Sequence, residues 1–178
     1  RKSALSIRES RSNSKTMHSS IFFRETFRMS EPGQYSYAYP RPSVTADIIL
    51  VTLEQTPRVL LIRRRHAPYA GHWALPGGFV DENERLIDAA KRELKEETGL
   101  ENIDLEQLHT FGDPGRDPRG WTVSVAYLAR VHLELLKPQA GDDAEAVGWY
   151  PLEHLPPLAF DHAEVLGRVR TRLADRAG

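Results

Sequence analysis

At 178 residues the chain is long enough for one domain with a real core and too short for two ordinary domains plus linkers. Its 24 basic and 25 acidic residues nearly cancel, so no global field draws it to nucleic acid or to an acidic membrane, and any charge chemistry must be local. The absence of cysteine excludes disulfides, thiolate zinc sites and a cysteine nucleophile, and no apolar run approaches the roughly 20 residues of a membrane span; the expectation is a cytoplasmic protein with no membrane partner.

Residues 1–36 carry recurrent serines from Ser3 to Ser36, more bases than acids and no sustained apolar period. That composition predicts a disordered N-terminal tail ahead of a single domain over residues 37–178. It is also compatible with an organelle transit peptide, or with upstream sequence ahead of a start at Met29.

From "YPRPSV" onward the pattern is globular. Residues 43–53 and 58–64 read as strands joined by a turn around Thr56 and Pro57. Residues 84–98 read as a helix, with Asp81 or Asn83 as its cap and Gly99 ending it. Strands follow at 103–111 and 121–131, separated by the turn-rich "GDPGRDPRG"; in the second, Trp121, Val123, Val125, Tyr127 and Ala129 share one face. A short strand over 146–150 precedes a proline-flanked turn, and Asp161 caps a last helix with Ala163, Leu166, Val169 and Leu173 as its apolar stripe. This irregular alternation predicts an α/β fold, a mixed sheet covered by helices.

The helix over 84–98 carries the chemistry. At about 100° per residue, Ile87, Ala90 and Leu94 form its buried stripe, and Glu93, Glu96 and Glu97 cluster beside it with Cβ atoms about 5–6 Å apart. Arg92 can relieve part of the repulsion within the helix, so a merely solvated charged face has to be weighed against a function. Two features favour function: the acids border the apolar stripe, and the helix follows the glycine pair of "LPGGFV", where backbone can approach a ligand. Several oxygen donors beside exposed carbonyls suit a hard divalent cation, with water positions left for phosphate.

Gly78, Glu84, Arg92-Glu93-Leu94, Glu96-Glu97 and Gly99-Leu100 stand at set distances, five residues separating the first pair and seven the next. In that spacing the chain resembles the Nudix hydrolases, filling every fixed position of their signature. The resemblance implies a Nudix-type α/β/α sandwich that hydrolyses a nucleoside diphosphate linked to another group, with Mg²⁺ or Mn²⁺ as cofactor. By position it implies that Gly78 offers its carbonyl to metal, that Glu93, Glu96 and Glu97 are metal ligands or base, and that Arg92 orients the glutamates. The general base is then Glu93 or, as in family members that draw it from a later loop, Glu145 in "GDDAEAVGW"; Asp142 and Asp143 read as solvated loop acids.

Arg64 at the end of the second strand, and Arg116 and Arg119 in the stiff "GDPGRDPRG" loop, are candidate substrate contacts, because guanidinium grips phosphate bidentately. Trp73 and Trp149 read as core aromatics, and the histidines show no zinc-ligand spacing. The region around Pro114 and Pro118 resembles the ADP-ribose pyrophosphatase branch of the family, implying ADP-ribose as substrate; the alternatives are an oxidised nucleoside triphosphate and a non-catalytic ligand sensor. Fewer than 80 residues follow the signature, which argues against a sensor's effector module. The expected partner is a small nucleotide and not nucleic acid, and a homodimer is left open.

Overall fold

The computed structural model describes residues 36–141 and 144–175. The expected tail, Ser36 excepted, lies outside these residues, as do Asp142 and Asp143. From Ala38 onward the chain is one compact unit.

Its centre is two long strands, β1 (Ser43–Thr52) and β6 (Thr122–Val131), paired in parallel from Ser43 opposite Thr122 to Thr52 opposite Val131. Outside them lie β2 (Arg58–Arg64) beyond β1 and β5 (Glu106–Phe111) beyond β6, both antiparallel to their neighbours. The short β3 (Trp73–Ala74) and β7 (Ala144–Pro151) pair with β2, and β4 (Gly77–Phe79) pairs with the first half of β1. The sheet is therefore mixed, and helix α1 (Leu86–Thr98) covers one face while α2 (His162–Asp175) covers the other.

The sandwich follows from strand alternation. Ile48 and Leu50 of β1 and Leu60 of β2 pack with Ala89, Ala90 and Leu94 of α1, whereas Ile49, Val51, Val59 and Leu61 pack with Val165, Leu166 and Val169 of α2. Each such large side chain, taken fully out of water, contributes about 1.5–3 kcal/mol. A strand buried on both faces reads as a continuous apolar run, and β6 is such a strand. Val125, Tyr127 and Ala129 do share a face, but Ala126 and Leu128 of the other face are as well buried, and Trp121 is exposed just before the strand begins.

Several local expectations change. The third long strand begins at Glu106, not residue 103, and the strand expected over 146–150 extends to Ala144–Pro151. In α2 the exposed Ala163 yields its place to Val165, and the Asp161 carboxylate, expected as a cap, is bound to Arg116. Helix α1 starts at Leu86 with Arg85 at the cap position and no side-chain cap, while Asn83 adopts a left-handed turn, φ 63°. Glu84 takes over here: its carboxylate accepts the Asp81 N–H at 3.0 Å and clips the turn from which the helix emerges. Gly99, φ 69°, ends the helix in the left-handed conformation and donates its N–H to the Lys95 carbonyl. Trp73 and Trp149 pack against the two cores, as expected of core aromatics.

Candidate active site

Beside the glycine pair lies a cleft of about 350 Å³ lined by Ile62, Arg64, Arg65, His66, Gly77, Gly78, Phe79, Asp81, Arg92, Glu93, Glu97 and Arg119. Strand β4 runs across it because Gly77 and Gly78 pair with Asp47 and Ala46 of β1. Helix α1 brings its carboxylates to the same place. The Gly77 N–H donates to Glu97 Oε2 at 2.8 Å, and the Glu93 carboxylate lies so near Gly78 that a Cβ there would stand 2.3 Å from Oε1. The second glycine is thus a cradle for a carboxylate, a reason for glycine that is independent of backbone angle.

Arg92 is the hub of the acidic cluster. Its Nε and Nη2 donate to the two oxygens of Glu84, each at 2.9 Å, its Nη1 to Glu93 at 2.7 Å and to Glu96 at 3.2 Å, and Nη2 also to the Phe79 carbonyl at 3.0 Å. The hydrogen bonds from Arg92, aided by the Asp81 N–H, hold the Glu84 carboxyl down to about 2, so Glu84 is a fixed anion that anchors the arginine. Burial pushes the Glu93 carboxyl up despite Arg92, which moves it towards a proton acceptor's range. The last turn of α1 is held from outside: Gln139 N–H bonds the Thr98 carbonyl at 2.9 Å and Gly141 N–H the Glu97 carbonyl at 3.0 Å. A Cβ on Gly141 would stand 1.8 Å from the Glu96 carbonyl oxygen, so a second glycine outside the signature fits against the helix end.

Of the other candidates, Arg64 and Arg119 line the cleft, and Arg116 does not. The Arg116 side chain is 6% exposed and bonds Asp161 through Nε at 2.8 Å and Nη2 at 2.7 Å, so its guanidinium ties the 112–120 loop to the start of α2. Arg119 is gripped by Asp117, with Nη2 at 2.7 Å from Oδ2. Burial alone would raise the Asp117 carboxyl, but the Arg119 side chain and backbone N–H take it below its usual value. Glu145 lies on β7 instead of in a loop, 3.6 Å from Arg63, and is not among the residues lining the cleft.

Beneath the cleft, a hollow of about 40 Å³ is bounded by Asp47, Arg64, Gly77, Gly78, Arg116, Arg119, Phe160 and His162 among others. Sequence reasoning missed this floor. Ser124 donates its hydroxyl to Asp47, Arg116 comes within 3.8 Å of Asp47, and His162 Nδ1 accepts the Leu75 N–H at 2.9 Å. Burial holds the His162 imidazolium pKa below its usual value, with Asp47 and Asp161 opposing. The folded protein therefore keeps His162 neutral at pH values where the unfolded chain, near 6.5, takes up a proton. Stability from this residue is full above that value and is lost as pH falls below it. We expect the thermal midpoint of the wild type to drop more between pH 7 and pH 5 than that of His162→Gln; parallel profiles would show that His162 does not titrate in that window.

The residues present suit a hard divalent cation. The donors are all oxygen, two of the carboxylates sit against the glycine pair, and no Cβ obstructs the approach to Gly78. Among the described residues no three such groups already converge on one point; Glu96, with its side chain 58% exposed, stands farthest out.

A family model for the NUDIX domain matches residues 41–169. The chain is 41% identical over 128 residues to an ADP-ribose pyrophosphatase of Methanocaldococcus jannaschii, covering 72% of this chain and 73% of that protein. It is 38% identical over 143 residues to the ADPR responsive transcriptional repressor NtrR of Acinetobacter baylyi, covering 78% of this chain but only 57% of the repressor. Among solved structures, the NUDIX domain of Shewanella oneidensis NrtR complexed with ADP ribose is similar at a TM-score of 0.71 and 38% identity, over 76% of this chain and 91% of that one. No helix among the described residues is long and apolar enough to cross a membrane.

Proposed function

The chain belongs to the Nudix family, and from that premise we propose that it is a metal-dependent pyrophosphohydrolase that cleaves ADP-ribose to AMP and ribose 5-phosphate. The observation that carries the reading is the seating of the Glu93 carboxylate on Gly78 within a cleft that Arg64 and Arg119 also line. A hydrolase of phosphoric anhydrides needs a proton acceptor beside the reacting phosphorus and cations along the bridge.

Gly78, through its carbonyl, and Glu93, Glu96 and Glu97 would hold Mg²⁺ or Mn²⁺, which when bound neutralises phosphate charge, polarises phosphorus and acidifies water. The chain's own residues do the rest. Arg92, anchored on Glu84, fixes the direction of Glu93. Glu93, its pKa raised by burial, accepts the proton of the attacking water as the new P–O bond forms and the bridging P–O bond breaks. Arg64 and Arg119 grip the phosphates and offset the repulsion of the neighbouring acids, so that the diphosphate can sit beside Glu93. The similarity to an ADP-ribose pyrophosphatase and to a domain bound to ADP-ribose supports the choice of substrate.

The second reading is an ADP-ribose sensor, favoured by the similarity to a repressor. That similarity also weighs against the expectation, drawn from charge alone, of no nucleic-acid partner. All the signature glutamates are present, and this supports turnover.

The test is a competition of ADP-ribose, NADH, diadenosine polyphosphates and 8-oxo-dGTP at saturating Mg²⁺, with an EDTA control. We expect the highest kcat/KM for ADP-ribose and no turnover in EDTA. A tenfold preference for 8-oxo-dGTP, about 1.4 kcal/mol at the transition state, would overturn the substrate. Robust turnover in EDTA would overturn the metal, and tight binding of ADP-ribose without hydrolysis in Mg²⁺ or Mn²⁺ would favour the sensor.

A further inference from the structure

Phe160, on the turn before α2, adopts φ 52°, a left-handed conformation that is costly for a bulky side chain and is tolerated where the surroundings over-determine it. Here they do. Ala159 donates its N–H to the Trp73 carbonyl at 2.8 Å, and Trp73 donates to the Pro157 carbonyl at 3.1 Å, so the segment before Phe160 is tied to β3. The ring meets Tyr69 edge-on at 5.0 Å between centroids, and Tyr69 is itself left-handed at φ 61°. Two aromatic residues in unfavourable backbone conformations thus meet at one place.

What that conformation presents is a surface for cations. The guanidinium carbons of Arg64 and Arg119 lie over the Phe160 ring at 5.0 and 5.1 Å from its centroid. Arg119 also lies 4.6 Å from the centroid of Phe79. Like charges repel, so two guanidinium groups gathered on one ring need a reason to be there; the electron-rich face is one, and backbone and carboxylate anchors add to it. The Arg64 Nε donates to the Pro68 carbonyl at 2.9 Å and the Arg119 fork is held by Asp117. Phe160 lines the small hollow beneath, whereas Arg64 and Arg119 line both the hollow and the cleft. Phe160 does not itself line the cleft, and the arginines that rest on its ring do.

We propose that Phe160 is a positioning residue that sets the separation and direction of Arg64 and Arg119 so that together they clasp the phosphates of a diphosphate substrate. The proposal rests on the pyrophosphohydrolase reading, and it predicts an effect on substrate capture with the chemical step spared. Plain packing would be satisfied by any side chain of similar volume.

Three variants test it. Phe160→Leu keeps bulk and removes the ring face, Phe160→Tyr keeps the face, and Phe160→Gly removes the ring while relieving the left-handed backbone. We expect Phe160→Leu to raise KM for ADP-ribose roughly tenfold with kcat within about twofold, Phe160→Tyr to restore it, and Phe160→Gly to raise KM at least as far while keeping the wild-type melting temperature. Affinity for inorganic pyrophosphate, measured by calorimetry without turnover, should fall in parallel. A KM and pyrophosphate affinity in Phe160→Leu and Phe160→Gly equal to those of the wild type overturn the proposal, as does a KM change that Phe160→Tyr fails to restore. If the wild type hydrolyses no substrate offered, the pyrophosphohydrolase reading fails on its own, and the pyrophosphate affinities still decide the role of Phe160.

Discussion

Replacing Glu93 with Gln is expected to lower kcat by about 10²–10⁴-fold, the usual cost of losing a general base, while Glu145→Gln leaves kcat within a few fold. From the sequence the two acids are hard to rank, since Glu93 lies within the signature and Glu145 in a later segment of the kind from which some family members draw the base. Geometry separates them. Glu93 sits on Gly78 inside the cleft, is fixed by Arg92 at 2.7 Å, and has a pKa raised by burial. Glu145 has its side chain 43% exposed, faces Arg63 at 3.6 Å and is absent from the residues lining the cleft. The glutamine is close to isosteric and removes one like charge from the cluster, so the melting temperature of Glu93→Gln should hold or rise slightly. Glu97→Gln gives the same sign of stability change and a comparable loss of rate, its carboxylate being held by the Gly77 N–H. A larger rate loss in Glu145→Gln than in Glu93→Gln would move the base to β7.

The signature was legible because its chemistry lies on one helix, where spacing alone brings side chains together. Glu93, Glu96 and Glu97 had to be neighbours once residues 86–98 were helical. What escaped depends on partners distant in the chain. Arg116 and Arg119 are three residues apart in one loop and look equivalent, yet Asp161 draws the first inward and Asp117 holds the second where it meets Phe79 and Phe160. Asp47, Ser124 and His162 form a buried polar floor from three separate elements, and no local pattern announces such a meeting. The helix cap failed for a related reason: Asp81 and Asn83 both suit a cap, but the bidentate grip of Arg92 on Glu84 determines how the chain enters α1. Along the 121–131 strand alternation placed Val125, Tyr127 and Ala129 on one face but said nothing of the other, because here both faces meet a helix.

The two adjacent glycines of "PGGF" should give opposite failures when each is changed to alanine. At Gly77, φ is 153°, and an added Cβ would stand 2.3 Å from the Ala46 carbonyl oxygen and 2.9 Å from the Asp47 Cα. Both are backbone atoms of β1, the central strand, and cannot yield without breaking the pairing of β4 to β1. Gly77→Ala should therefore lose more than about 3 kcal/mol of stability, seen in urea unfolding or as loss of soluble protein. At Gly78 the backbone lies outside the left-handed region, and the atoms in the way belong to the Glu93 carboxylate, at 2.3 to 2.7 Å. That side chain can swing aside, so Gly78→Ala should keep a melting temperature within a few degrees of the wild type while kcat/KM falls by about 10²-fold or more, comparable to loss of the base itself. The pair separates fold from function within two residues. A fully active Gly78→Ala would mean that the seat of Glu93 on this glycine is not where the reaction takes place, and a stable Gly77→Ala would mean that β4 is free to leave β1.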